Sequence, residues 1–286
     1  MKLGVIVSPA AGWTYDELRE IANETEAAGF ESFWVSDHFF GGEGVPDQDC
    51  LEAWTLLAAL ARDTRTVRLG CLVTAAQYRN PALLAKIVAG VDQMSGGRIE
   101  FGIGAGWKDN EYRAYGYDFG DPGRRVTELR EALEICTRLW TQDRATFHGK
   151  RYRVDGAVCA PKPAQRPHPP IWVGGAGPRV MRIAARFADG FDIGHNGSTG
   201  LSTADDLRER MRALDDACRW VRRDRPLLRS QWSAVELTDA ASVRTVRERL
   251  ASYAGLGLDR FLFQLPKERA GAMVRRARTE ELLTRP

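Results

Sequence analysis

The sequence predicts an α/β fold: a closed (β/α)8 TIM barrel, one domain over residues 1–286, with an insertion between its fourth and fifth strands. Three observations predict it. Short β-branched or aromatic runs alternate with longer amphipathic stretches, the pattern of a parallel sheet joined by crossover helices. Eight such alternations fit into 286 residues, a length that suits a closed barrel and favours it over an open doubly wound sheet. Glycine and polar residues gather directly after the apolar runs, where parallel strands present ligand-binding loops.

Residues 3–8 read as the first strand, β-branched and ended by Pro9. Thr14-Tyr15-Asp16-Glu17 has the spacing of a capping box, so a helix starts there, buries Leu18, Ile21 and Ala22, and stops at Gly29. Residues 32–36 are the second strand, inside the stretch Phe33-Trp34-Val35-Ser36-Asp37-His38-Phe39-Phe40. A flexible loop, Gly41-Gly42-Glu43-Gly44, leads to a strongly apolar helix at residues 50–61. Residues 67–73 are the third strand. Pro81 stands at a favoured first-turn position and opens a helix over residues 81–94 that ends at Gly96-Gly97. Residues 98–104 are the fourth strand, followed by Gly106-Trp107 and a helix at residues 128–140.

The rhythm then breaks. Residues 146–154 suggest a hairpin around His148-Gly149-Lys150, and Pro161, Pro163, Pro167, Pro169 and Pro170 stiffen the chain that follows. Alternation resumes with strands at residues 171–173, 190–193, 228–235 and 259–265. Helices at residues 177–187, 205–222, 242–254 and 267–283 follow them.

Composition narrows the function. With 41 basic and 38 acidic residues, the net charge of +3 gives neither nucleic acid nor an anionic membrane a broad partner surface. The five cysteines (50, 71, 136, 159 and 218) form no CxxC pair and no Cys/His cluster, so neither a disulfide framework nor a bound metal is expected. The N-terminus enters a strand directly and no apolar stretch reaches membrane length, which reads as a soluble, reducing, cytoplasmic setting. HExxH, GxSxG and GKS/T are all missing, leaving metal, acyl-transfer and phosphoryl-transfer chemistry without support.

Chemistry therefore has to come from the strand ends. The second strand releases Asp37 and His38, an acid-histidine pair. The third delivers Thr74 and then Tyr78-Arg79-Asn80, and the fourth Gly102-Ile103-Gly104-Ala105-Gly106-Trp107 and then Asn110-Glu111. The fifth delivers Gly174-Gly175-Ala176-Gly177-Pro178-Arg179, and the sixth Gly194-His195-Asn196-Gly197. Neither glycine run fits GxGxxG, and neither follows the first strand, so a dinucleotide fingerprint is rejected. Glycines here let the backbone approach a large flat ligand. Gly177-Pro178 opens a helix whose free N–H groups suit a phosphate, with Arg179 adding charge. Trp107 is expected to wall the pocket, His148 and His168 to lie on the surface, and His195 is left open between pocket and surface.

Several of these stretches together resemble the bacterial-luciferase-like flavin-barrel superfamily, and within it the oxidoreductases that use the deazaflavin coenzyme F420. They are Trp34-Val35-Ser36-Asp37-His38-Phe39, Leu69-Gly70-Cys71-Leu72-Val73-Thr74, Ser95-Gly96-Gly97-Arg98, the run from Gly102 to Trp107, Arg151-Tyr152 and Ala188-Asp189-Gly190-Phe191. The resemblance runs nearly end to end. It implies a ring system seated at the strand ends, with Asp37 in contact with it and His38 as proton donor or substrate orienter. It places a non-prolyl cis peptide at Cys71-Leu72, further cofactor contacts at Thr74, Ala105, Gly106 and Asn110, and a phosphate turn at Ala176, Gly177, Arg179 and Val180. Asp37 would keep His38 available as an acid. The F420-dependent glucose-6-phosphate dehydrogenases of this group carry a catalytic Glu where this chain has Trp107, and a phosphate-binding Lys where it has Gly197. The substrate expected is therefore a small molecule with apolar or aromatic character rather than a sugar phosphate. An FMN-dependent monooxygenase on the same barrel is the alternative, and the apolar helices at residues 50–61 and 81–94 suggest a homodimer.

Overall fold

The computed structural model of the chain describes residues 1–41, 47–194, 202–279 and 282. The strands, in chain order, are β1 (Lys2–Val7), β2 (Ser32–Val35), β3 (Arg68–Ala75), β4 (Ile99–Gly104), β5 (Ala145–His148), β6 (Arg153–Ala157), β7 (Ile171–Gly174), β8 (Gly190–Asp192), β9 (Leu228–Ala234) and β10 (Arg260–Gln264). The helices are α1 (Tyr15–Ala28), α2 (Ala53–Asp63), α3 (Pro81–Ser95), α4 (Asp109–Ala114), α5 (Pro122–Thr141), α6 (Pro178–Phe187), α7 (Ala204–Trp220), α8 (Ala240–Gly255) and α9 (Ala270–Thr279). All barrel strands pair in parallel, in the closed order β1-β10-β9-β8-β7-β4-β3-β2. This is the (β/α)8 barrel that the alternation predicts. Between β4 and β7 lie α4, α5 and the antiparallel pair β5-β6.

Local signals explain most element boundaries. Thr14 and Glu17 form a reciprocal capping box at α1, and Gly29 ends that helix in the left-handed conformation. Asn80 caps α3 through the Ala82 N–H, ahead of Pro81. Two differences have physical reasons. α5 starts at Pro122, capped by Asp121, six residues before the expected start, because its first turns (Gly123-Arg124-Arg125) are polar and show no apolar period. α4 is a single short turn region and leaves no periodic signature. The β5-β6 hairpin docks on α5, where the buried Glu131 accepts the backbone N–H groups of Lys150, Arg151 and Tyr152 at 2.9, 2.9 and 3.0 Å.

The apolar core fills the shell between barrel and helices, with Phe101 in contact with both Trp54 and Trp140. The barrel interior is narrow and aromatic. Trp34 and Trp172 meet edge to face with centroids 6.1 Å apart, and only glycine fits opposite them, because a Cβ at Gly70 or Gly190 would strike an indole ring. Below them Arg260 stacks on Trp172 at 4.4 Å and makes two hydrogen bonds to Glu100, at 2.6 and 3.0 Å. Arg68 joins Glu100 at 2.6 Å, and Glu31 pairs with Arg260 at 2.9 Å. These residues stand at the amino ends of the strands, so the bottom of the barrel is closed by a network in which every charge is paired with an opposite one.

Candidate active site

The carboxyl ends of the strands open on a cleft of about 490 Å³ lined on one side by the small residues Gly104, Ala105, Gly106, Gly174, Gly175 and Ala176. Asp37, His38, Leu72 and Val180 also line it. Those residues, from the ends of β2, β3, β4 and β7 and the start of α6, are brought together by barrel closure. Gly177 and Arg179 sit exposed at the rim, at the start of α6. Pro178 has no N–H and no side chain caps that helix, so the N–H groups of its first turn are open to an anion. Asn110 is half-buried on α4 and stands outside the lining.

The side chains of Cys71 and Thr74, expected at the cofactor, face the other way. Both are wholly buried toward the helix layer, and the Thr74 hydroxyl accepts the Trp54 indole N–H at 3.0 Å. The cause is strand geometry. Leu69 and Cys71 point outward by the two-residue period, and a bulge then shifts the β3-β4 register between Cys71 and Thr74, so three steps on β3 match two on β4. The non-prolyl cis peptide lies at this bulge, between Leu72 and Val73, one bond beyond the expected Cys71-Leu72. Leu72 and Val73 are the residues that reach the cleft.

The expected pairing of Asp37 with His38 is also corrected. Successive residues leave the strand end in different directions, and each finds a different partner. Asp37 is clamped by Arg79, whose two terminal nitrogens lie 2.7 and 2.9 Å from its two carboxylate oxygens, and it also accepts the Ala75 N–H at 3.2 Å. Arg79 in turn pairs with Glu52. Burial disfavours the Arg79 charge, but Asp37 and Glu52 more than offset this and hold its proton tighter than usual. Asp37 is thus a neutralised, fixed wall of the cleft.

The partner of His38 is Glu111, which the sequence reading named only as a neighbour of Asn110. Glu111 is completely buried and lies 3.0 Å from His38 Nδ1. It also accepts the Tyr78 hydroxyl at 2.6 Å, the Lys108 ammonium at 2.8 Å, and the Phe39 and Phe40 N–H groups at 2.9 and 3.3 Å. Burial opposes its ionisation, but hydrogen bonds from His38, Lys108 and Tyr78 outweigh burial and hold its carboxyl down at about 2. A carboxylate only accepts, so His38 Nδ1 must carry a hydrogen toward it, which leaves Nε2 as the nitrogen free to exchange a proton with the cleft. Cys50 steadies the same turn by donating to the His38 carbonyl at 3.1 Å.

Aromatic residues frame the mouth. Trp107 is 72% exposed, lines the cleft, and meets the His38 ring edge to face at 5.8 Å. Phe39 stacks between Tyr78 and Tyr115, at 4.4 and 4.3 Å. His148 is exposed beside Asp155 and His168 is half-buried against Trp140, both remote from the cleft lining. His195, Asn196, Gly197 and part of the glycine loop after Gly41 lie outside the described residues.

Comparison with known proteins gives four findings. The luciferase-like monooxygenase family matches residues 1–218. An FMNH(2)-dependent dimethylsulfone monooxygenase of Pseudomonas putida is 32% identical over 214 residues, covering 73% of this chain and 58% of that enzyme. An F420-dependent glucose-6-phosphate dehydrogenase of Amycolatopsis mediterranei is 34% identical over 178 residues, covering 61% of this chain and 52% of that enzyme. The chain thus spans a little over half the length of each of these two relatives. Among solved structures, an F420-dependent secondary alcohol dehydrogenase in complex with an F420-acetone adduct superposes with a TM-score of 0.82 at 18% identity, covering 100% of this chain and 99% of the other, which is a likeness of fold.

Proposed function

The chain belongs to the luciferase-like monooxygenase family, and from that premise we propose that it is a cytoplasmic F420-dependent oxidoreductase that transfers a hydride between the deazaflavin and a small organic substrate. One observation carries the reading: a histidine whose Nε2 has no partner among the described residues faces a cleft whose other side is made of small residues and ends at a helix N-terminus with no side-chain cap. The donor set fits a flat, phosphate-bearing group. Ala105, Gly106, Gly175 and Ala176 leave room for a ring, and the first turn of α6 with Arg179 suits its phosphate. When bound, the deazaflavin supplies a carbon that takes up or gives up a hydride, and it lacks the ring nitrogen that flavins use to activate oxygen.

The chain's own residues do the rest. His38 exchanges the substrate's proton at Nε2, while Glu111 holds the ring through Nδ1. Asp37 and Arg79 form a rigid, charge-balanced floor beside them. Trp107 covers the mouth and limits water near His38. Asp rather than Glu before the histidine at Asp37-His38 supports the deazaflavin branch, which it resembles more than the flavin branch with its more frequent Glu-His.

The second reading, an FMN-dependent monooxygenase, is favoured by the match to the dimethylsulfone enzyme, which covers more of this chain than the glucose-6-phosphate dehydrogenase does. Titration of the purified chain with F420 and with FMN, followed by fluorescence quenching, separates the two. The expected outcome is saturable F420 binding at micromolar concentration with FMN much weaker, and tight FMN binding without F420 binding would overturn the proposal. We further infer a homodimer across α2 and α3, since α3 leaves Leu83 and Met94 exposed on its outer face. A monomeric mass in solution scattering would remove that inference.

A further inference from the structure

The cofactor reading assigns the small-residue side of the cleft, and the inference that follows rests on it for which side is left to the substrate. In the closed strand order β8 stands four places from β2, directly across the barrel from His38. On β8 the two-residue period turns Gly190 toward the interior against Trp172, Phe191 outward into the core, and Asp192 inward again at the mouth. Asp192, Trp232 and Gln264 therefore line the cleft from β8, β9 and β10.

Asp192 differs from every other buried acid around the cleft. It is 2% exposed, and its two oxygens accept one neutral hydrogen bond each, from the Ser230 hydroxyl at 2.6 Å and the Gly194 N–H at 2.9 Å. Among the described residues it has no ion pair, whereas Asp37 has Arg79 and Glu111 has Lys108. Each oxygen keeps a further lone pair. The Gln264 amide, two strands away on the same wall, likewise makes no hydrogen bond among the described residues. A buried carboxylate met only by neutral donors repels an anion strongly and is completed by a group that donates hydrogen bonds. The surfaces beside it, Ile6, Leu72 and Trp232, are apolar.

We propose that Asp192 is the substrate-recognising residue of this cleft, assisted by Gln264, and that the substrate has an apolar body with a hydrogen-bond-donating head, an amine or alcohol, rather than a phosphate or carboxylate. The head lies between Asp192 and His38. The small-residue wall stays with the cofactor, so loss of Asp192 leaves cofactor binding intact.

The test uses three probes that share a body and differ in head: benzylamine, benzyl alcohol and benzoate, each titrated calorimetrically into the full chain. Wild type is expected to bind the amine and the alcohol at least tenfold more tightly than benzoate. In Asp192→Asn, and in Asp192→Ser as a second variant, that preference should shrink to within twofold, while F420 affinity stays within twofold of wild type. Benzoate binding as tightly as benzylamine, no saturable binding of benzylamine, or an unchanged ranking in both variants would each overturn the proposal and leave Asp192 a structural link between β8 and β9. Loss of F420 binding in the variants would overturn it too, by moving Asp192 to the cofactor side. Failure of wild type to bind F420 strikes the cofactor reading alone, since the probe ranking is measured without it.

Discussion

The two ends of the barrel treat buried charge in opposite ways. At the amino end Glu100 is only 2% exposed, yet it is held ionised: burial disfavours its charge, and Arg260 and Arg68 more than compensate. At the carboxyl end Asp192 is equally buried, and burial pushes its carboxyl up to about 6, because Ser230, Gly194 and the more distant charges of Arg210 and Arg260 compensate only in part. The same side-chain chemistry, in the same fold, is neutralised at the closed end and only partly compensated where the cleft opens. The contrast also sorts the acids at the open end. Asp37, with its guanidinium clamp, follows the rule of the closed end and serves as wall, while Asp192 does not.

Breaking the closed end should produce the largest effect. Glu100→Gln leaves the buried Arg260 with Glu31 as its one remaining carboxylate among the described residues, and removal of one member of a buried pair costs about 3–5 kcal/mol, of which Glu31 recovers part. Urea unfolding at pH 7 measures it, and a loss under about 1 kcal/mol would mean the network is not an interlock.

At the open end the sign reverses. The carboxyl of Asp192 is raised in the native state, so the folded chain holds its proton more tightly than the unfolded one. Its contribution to stability is complete below about pH 4 and is lost as pH rises through about 6; above that, the ionised group is a liability of about 3 kcal/mol. Asp192→Asn should therefore be more stable than wild type above pH 6, with the gap closing toward pH 4. The charges that act on Asp192, Arg210 on α7 and Arg260 on β10, favour its ionised form but do not cancel burial, so the direction stands. A variant less stable than wild type at pH 7 would show that Asp192 is satisfied after all.

Function gives the next effect in size. With a substrate found among alcohols and amines, His38→Ala should lower turnover about 10²-fold, about 2.7 kcal/mol in barrier, with F420 affinity little changed. Glu111→Gln, which keeps the shape but weakens the hold on Nδ1, should lose less and should alter the pH profile of turnover, a readout that packing alone would not move.

How far the sequence carried these points depends on the range over which each is encoded. The capping box at Thr14, the helix starts at Pro81 and Pro178, the alternation of eight strands, and the release of Asp37 and His38 from a buried strand are local, and all were legible. The pairing of His38 with Glu111 spans 73 residues and depends on where the turn after β4 folds back, which no local pattern encodes. The outward turn of Cys71 and Thr74 required the bulge on β3, a single extra residue that reverses the two-residue period and leaves no mark in an apolar run. Asp192 could have been found, since Gly190-Phe191-Asp192 ends a buried strand in an acid just as Val35-Ser36-Asp37 does. What hid it was its strand of three residues, too short to show alternation.

Trp107 gives the smallest and most discriminating effect. It stands beside His38 yet is mostly solvent-exposed, so the native fold gains little from it, and Trp107→Ala should change stability by less than about 0.5 kcal/mol. A ligand in the cleft would cover one face of the indole, and losing that contact should weaken benzyl alcohol binding several-fold, in line with about 1 kcal/mol for an aromatic contact. The two numbers have to move apart. If stability fell by more than about 1 kcal/mol, Trp107 would belong to the self-satisfied part of the molecule, with Glu100 and Asp37. If binding weakened and stability held, the open end would owe its aromatic rim, as it owes its unpaired carboxylate, to what it takes up.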